Sequence, residues 1–460
     1  MADLTPVQVL PADIGILNFA NIGSDSLAEC NRLLDKNHRD HHMFVRDTAG
    51  HNHIVHAVLA VLALGGSPQE LRDRYDDGAS MQRPLPPCDA ELLEKLNDPE
   101  VFMATLSERA QYTTFLTFFE RKMAERGWRS VLQEYLFART PLADAMLGRL
   151  YEGAYHALIH LGYGIEFQSP AIIAEALGQA ASHDDSGIAQ LFRSAEEEAV
   201  FQYPTPRGTP LIELVHEVRA NDQIRTAPRW SDYGNKMRDG IVGRACEPMS
   251  TLASQFQIFP NEADLERRTA EMIGVCAYMS GAAQRPGRKR KIDFFHMHAL
   301  NSALFFTVLI RQQWIRLEDR VRMVERKARL DLAWYAVAGS AALDATAITD
   351  YSSPESDGLG WDELFAAVNK EHDDGHAAKF IRALKNGEMV SRRYEQGEWA
   401  EFFPMKGDMW LKLARMCQDT TKGMPSDLKW IPFTGFEQPW KRADLAEAGE
   451  TNTAEKVRLY

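Results

Sequence analysis

Apolar side chains recur at i, i+3 and i+4 through residues 99–126, 151–163, 169–181, 262–280, 293–314, 320–347 and 399–417. That spacing lays an apolar stripe along one face of an α-helix. Strand-like alternation is scarce. The stretches MQRPLPP (81–87), YPTPRGTP (203–210), RPGRKRK (285–291), SSPESDGLG (352–360) and KGMPSDLKWIPFTGFEQPW (422–440) break the pattern. Their proline and glycine content predicts loops between helices, and none has the composition of a long flexible linker. No internal repeat argues for a solenoid. The pattern therefore predicts an all-α fold: a single large multi-helical domain over residues 1–460, with an N-terminal extension at 1–40 and a C-terminal loop and helix at 420–460.

Composition narrows the class of partner. Apolar residues at 45% supply an ample core, while a formal net charge of −13 leaves no basic face for nucleic acid or an anionic membrane. A small organic substrate fits better. The opening MADLTPVQVLPADIG lacks the basic-then-apolar pattern of a signal peptide. The Ala-rich stretch from Leu330 to Ile348 is interrupted by Asp331 and Asp344, so no membrane span is predicted. Five cysteines, far apart and without CxxC spacing, suit a reduced, cytoplasmic setting. The basic run from Arg288 to Lys291 reads as a solvated loop.

Histidine changes the picture. Nine of the fourteen histidines fall into four groups bordering apolar helical stretches: His51, His53 and His56; His156 and His160; His296 and His298; His372 and His376. Imidazole is the commonest side-chain metal ligand, so histidines recurring on several core-facing helices suggest one shared metal site in the helical core. His53 and His56 are spaced to share a helix face, with His56 the one embedded in the apolar run IVHAVLAVLALGG. His156 and His160 form an HxxxH pair without the glutamate of a zincin, and His160 lies deeper in its stretch. His296 and His298 are about 200° apart on a helix, so one is a bystander. His298 shares its face with Phe294, Phe295, Asn301, Ser302 and Phe305 behind the N-cap Asp293. His372, His376 and Lys379 step along one helical stripe. A lysine there either extends to solvent or an aspartate, or has reacted with carbon dioxide to give an anionic carbamate ligand. For each histidine the alternative is a capped or hydrogen-bonded core residue.

Other chemistries fit less well. A di-iron carboxylate bundle needs two ExxH motifs, and only Glu213 with His216 is present. The HxD strings His183/Asp185 and His372/Asp374 belong to iron oxygenases on β-rich scaffolds. The pairs His183-Asp184 and His372-Asp373 leave an HD-type metal phosphohydrolase open. No GxGxxG fingerprint and no Walker A loop is found, so no cofactor-binding residues are assigned.

Four blocks, HNHIVHAVLAVLALGGSPQEL (51–71), HALIHLGYGIEF (156–167), IDFFHMHALNSALF (292–305) and HDDGHAAKFIRALK (372–385), together resemble the questin oxidase-like family from about residue 40 to 417. The resemblance implies an enzyme of secondary metabolism that oxidatively cleaves a C–C bond in the quinone ring of an anthraquinone-type polyketide with O2. It implies a mononuclear non-haem Fe(II) dioxygenase with four histidines and a carboxylated lysine. Carried onto this chain, the metal ligands are His56, His160, His298, His376 and Lys379, the last as a carbamate from CO2. His53 then stands beside the metal as a pocket group, Tyr163 and Phe167 flank the ligand blocks, and Ser302 stands where the family often has threonine. His53, Tyr163 and Ser302 are thus the expected catalytic-pocket residues. His296, usually apolar in the family, is the other departure. NADPH enters as a reductant of the substrate. The alternatives are an NADPH-dependent, metal-independent Baeyer–Villiger monooxygenase and the HD-type hydrolase.

Overall fold

Helix boundaries follow the capping residues. Ser67 and Glu70 form a reciprocal capping box ahead of Pro68–Ala79, Asn261 caps Glu262–Ala282, and Asp293 accepts from two backbone amides at the start of Phe294–Ala303. This computed structural model describes residues 5–46, 50–203, 205–206, 208–442 and 445. Among them the secondary structure is helical, with isolated bridges and no strand. The all-α expectation holds.

The chain forms two compact units: Met1–Asp185 with Arg311–Ile315 and Val368–Lys379, and Ser186–Ile310 with Arg316–Ala367 and Phe380–Tyr460. In the first, Pro170–Ser182 packs against both Glu152–Glu166 and Tyr112–Arg126. Twelve of its thirteen residues are buried, so this helix is central. Small residues permit that closeness: a Cβ on Gly164 would lie 2.7 Å from Cγ1 of Ile173. All ten residues of Ile54–Ala63 are buried, and it packs on Ser24–Asp40 and Pro68–Ala79. A helix apolar all round must be enclosed, and His56 is its one polar side chain. The stretch expected to be an N-terminal extension thus contains the Ser24–Asp40 helix, whose apolar face is buried. In the second unit Glu262–Ala282 packs against Phe294–Ala303 and Leu317–Val337.

Several expected helices break where the backbone turns left-handed or irregular; the 293–314 stretch, for one, divides into Phe294–Ala303 and Phe306–Leu309. The 99–126 stretch divides into Pro99–Thr105 and Tyr112–Arg126 around Ser107 at φ 75°. The 320–347 stretch stops at Val337, before Gly339 at φ 90° and Ser340 at φ 47°. The 399–417 stretch is a short 3-10 segment followed by Met409–Thr421. Of the expected C-terminal loop and helix, Ser426–Lys429 and Gln438–Lys441 are seen; residues 443–444 and 446–460, like 1–4, lie outside the described residues. No described helix is long and apolar enough to cross a membrane.

Candidate metal centre

Local backbone irregularity, rather than regular helix, presents the key imidazoles of the first unit. His53 is the N-cap of Ile54–Ala63, with φ −98° and ψ 0°. His156 follows three consecutive left-handed residues, Gly153, Ala154 and Tyr155, at φ 56°, 55° and 69°. Such runs are costly for non-glycine residues and cluster at functional sites. Gly153 is required there, since a Cβ would lie 2.3 Å from Nε2 of His183 and 2.9 Å from Cε1 of His51. His376 opens the helix His376–Ser391 after Gly375, at φ 86°. A Cβ on Gly375 would lie 2.6 Å from Cα of Ala57, so only glycine lets the His376 loop rest on the Ile54–Ala63 helix.

These three elements converge. His53, His156 and His376 offer ligand atoms that all lie within 4.8 Å of one another. Nε2 of His53 is 2.7 Å from Nε2 of His156, and the His53 and His376 rings meet edge-on at 4.7 Å. Their outer nitrogens face acceptors: Nδ1 of His376 lies 2.6 Å from Oδ1 of Asp374, Nδ1 of His53 lies 3.5 Å from Oδ2 of the same carboxylate, and Nδ1 of His156 donates to the Gly153 carbonyl. An imidazole donating through Nδ1 keeps its lone pair on Nε2. This is how metal-binding histidines are usually oriented by their surroundings. Asp373 accepts from the backbone N–H of Ala377, holding the turn.

Electrostatics disfavour the charged form of the imidazoles at and beside His53. Burial first, then the Lys379 charge and the neighbouring imidazoles, hold His53 and His56 well below the usual imidazole range. Burial likewise depresses His51, next to His156 and His183. Burial lowers the Lys379 amine to about 8 against the pull of Asp374 and Asp373, and its Nζ is buried with no hydrogen-bond partner.

The other expected residues are placed as follows. His56 and His160 are not in the close group. They lie one turn further along their helices and meet each other, Nε2 of His56 at 3.2 Å from Nδ1 of His160. Tyr163 stacks on His56 at 5.5 Å and 22°. In the second unit His298 is fully buried, and its Nδ1 donates to the Phe294 carbonyl at 2.7 Å, which leaves Nε2 as its lone-pair nitrogen. Ser302 donates to the carbonyls of His298 and Ala299 on its own helix. His296 is buried with neither ring nitrogen hydrogen-bonded. Phe295, half-buried, stacks on Trp334 and Phe433. His372 precedes the helix instead of sharing its stripe; Nδ1 of its largely exposed ring lies 2.8 Å from Oδ1 of Asp77. His156, one of the grouped histidines, and Asp374, of an HxD string, were not among the ligands the resemblance implied, yet both stand at this group of imidazoles.

The fold and this arrangement define an all-α protein with a histidine-rich centre. More specifically, the chain belongs to the questin oxidase-like family, whose model matches residues 50–384. It is 66% identical over 442 residues to Baeyer-Villiger monooxygenase dmxR6 of Cryptosporiopsis sp., covering 96% of this chain and 99% of that protein. It is 49% identical over 436 residues to Baeyer-Villiger oxidase ptaJ of Pestalotiopsis fici, covering 95% and 97%. It is 46% identical over 445 residues to the questin oxidase of Aspergillus fumigatus, covering 96% and 99%. These names place the chain among oxidoreductases.

Proposed function

We propose that this protein is a non-haem Fe(II) dioxygenase that opens the quinone ring of a hydroxylated anthraquinone polyketide by C–C cleavage. The observation that carries the reading is the facing pair of Nε2 atoms of His53 and His156, 2.7 Å apart, beside His376. If both outer nitrogens donate outward, two lone pairs confront each other in the interior, and a cation resolves the conflict. Adjacent imidazole ligands at about 2.1 Å from an ion stand roughly 3 Å apart, close to what is seen. The donor set fits a divalent transition metal.

The residues that would hold the metal are His53, His156 and His376. Lys379 joins them as the carbamate, because its buried, unpartnered amine with a pKa lowered to about 8 is available to react with CO2. His298 keeps its place on the family resemblance, with Nε2 as donor. This assignment moves the ligand role one helical turn from His56 and His160, the pair inferred from the resemblance. Metal content separates the two. If His53 and His156 are ligands, His53→Ala and His156→Ala lose bound iron; ligation by His56 and His160 instead makes His56→Ala and His160→Ala the variants that lose it.

When bound, Fe(II) supplies the one-electron chemistry that allows dioxygen to react with a closed-shell organic substrate. The chain's part is to exclude water, orient the imidazoles through Asp374 and Gly153, and keep His53 neutral. In this reading NADPH reduces the quinone before cleavage. Elemental analysis of freshly purified protein, paired with O2 uptake on an anthraquinone, tests it: about one iron per chain is expected, and full activity after chelation would refute it. The relatives' names favour a second reading, a Baeyer–Villiger monooxygenase. Its metal-independent form predicts NADPH consumption that survives chelation. The HD-type hydrolase is disfavoured, because the Asp184 carboxylate of one HD pair is bound by Arg109 and the largely exposed His372 of the other faces Asp77.

A further inference from the structure

A second buried chain of hydrogen bonds crosses the first unit. Nε2 of His56 lies 3.2 Å from Nδ1 of His160, and Nε2 of His160 lies 2.7 Å from Oε2 of Glu175. Oε1 of Glu175 lies 2.8 Å from Nδ1 of His38, whose Nε2 lies 3.1 Å from Oε1 of Glu120. The relative exposures of His56, His160, Glu175, His38 and Glu120 are 1%, 0%, 2%, 1% and 7%, so water does not compete for these contacts.

The proton positions follow from donor and acceptor chemistry. A carboxylate only accepts, so His160 carries a proton on Nε2, and in its neutral form it is then bare on Nδ1. Bare Nδ1 accepts, so His56 donates through Nε2 and is bare on its own Nδ1. That atom is buried and has no hydrogen-bond partner in the structure. A buried acceptor without a donor is unfavourable and calls for a reason, such as a ligand. Tyr163 lies nearly parallel to the His56 ring, which fixes the ring plane and so the direction of the lone pair.

We infer that Glu175 is a positioning residue: acting through His160, it holds His56 in the tautomer whose bare Nδ1 accepts a hydrogen bond from a phenolic hydroxyl of the substrate. This rests on the substrate class proposed above, not on the metal or on dioxygen. His38, bonded to both carboxylates, keeps Glu175 turned toward His160. Recognition by a buried acceptor discriminates strongly against an analogue that lacks the matching donor.

The test uses the full chain, chelator-treated, with isotopically labelled histidine nitrogens. Long-range proton–nitrogen spectra are expected to show both His56 and His160 protonated on Nε2, with His56→Gln and His160→Gln supplying assignments. A His56 protonated on Nδ1 overturns the inference. Fluorescence quenching then compares a dihydroxyanthraquinone with its O-methyl ether. The wild-type chain is expected to prefer the hydroxylated compound by at least about tenfold. Glu175→Gln is expected to shrink that preference to about twofold while leaving affinity for the ether unchanged. No preference in the wild type, or equal loss on both compounds in the variant, overturns it. Should the variant fail to fold, the wild-type tautomers and selectivity still decide. Selective binding without iron or O2 uptake would sink the dioxygenase reading and leave this inference standing.

Discussion

Gly375→Ala is the sharpest test of how the centre is assembled. Gly375 sits at φ 86°, and the new Cβ would lie 2.6 Å from Cα, 2.7 Å from Cβ and 3.0 Å from N of Ala57. Those atoms belong to a fully buried helix that cannot yield. The left-handed conformation costs an alanine about 1–2 kcal/mol. Overpacking adds about 1–3 kcal/mol, so the expected loss is roughly 2–5 kcal/mol. Ordinary contact near 3.4 Å requires the 373–376 turn to move by about 0.8 Å, several times the roughly 0.2 Å within which metal–ligand distances are held. His376 moves with it. Gly397→Ala provides the control, because Gly397 has a similar φ of 79° and nothing within 4 Å of its Cβ position. It isolates the dihedral term. Urea titration and Fe(II) or Co(II) titration are the assays. Gly375→Ala should lose about 1–3 kcal/mol more than the control and bind metal at least about tenfold more weakly, tenfold being about 1.4 kcal/mol. Equal behaviour of the two variants would show that the packing of Gly375 on Ala57 does not position His376.

Three further outcomes follow from buried groups. Lys379→Met removes a desolvated amine whose pKa falls from 10.5 to about 8. At 1.36 kcal/mol per unit, this predicts a metal-free chain up to about 3 kcal/mol more stable at pH 7 by urea denaturation, while activity is lost; marked destabilisation would contradict it. Gly153→Ala places a Cβ 2.3 Å from Nε2 of His183, so it should destabilise by about 2 kcal/mol or more and weaken metal binding through His156. Hydrogen bonds to Glu120 and Glu175 outweigh burial to raise His38 to about 9. A raised pKa stabilises fully below the unfolded value near 6.5 and fades as pH climbs to about 9. The stability gap between wild type and His38→Gln should therefore close over that window at about 1.4 kcal/mol per pH unit; a gap that is flat with pH would remove the charge from His38.

How far the sequence revealed this site depends on which physical signal each residue left. The helices and the four histidine blocks were legible because both leave periodic patterns, and burial of Ile54–Ala63 followed from its apolar run. The choice within each block was not legible. Depth in an apolar run favoured His56 and His160, yet the ring nitrogens that converge belong to His53 and His156, which sit at a helix cap and after a left-handed turn. Regular periodicity cannot foresee this, because a side chain at a cap or after a φ reversal points where the helical wheel does not place it. The one local sign was glycine: Gly153 and Gly375 lie three and one residues before His156 and His376, and each occupies space that a Cβ would fill. Glycine just before a histidine, ahead of an apolar helix, thus carried more information about the centre than the depth of the histidine within that helix. The role of Glu175 left a weaker trace, a lone carboxylate in the apolar run PAIIAEALGQAAS. A charge buried there must be paired, and its partners, His38 and His160, lie 137 and 15 residues away. Only the packing of Pro170–Ser182 against Glu152–Glu166 turns that isolated charge into the far end of a tautomer lock on His56.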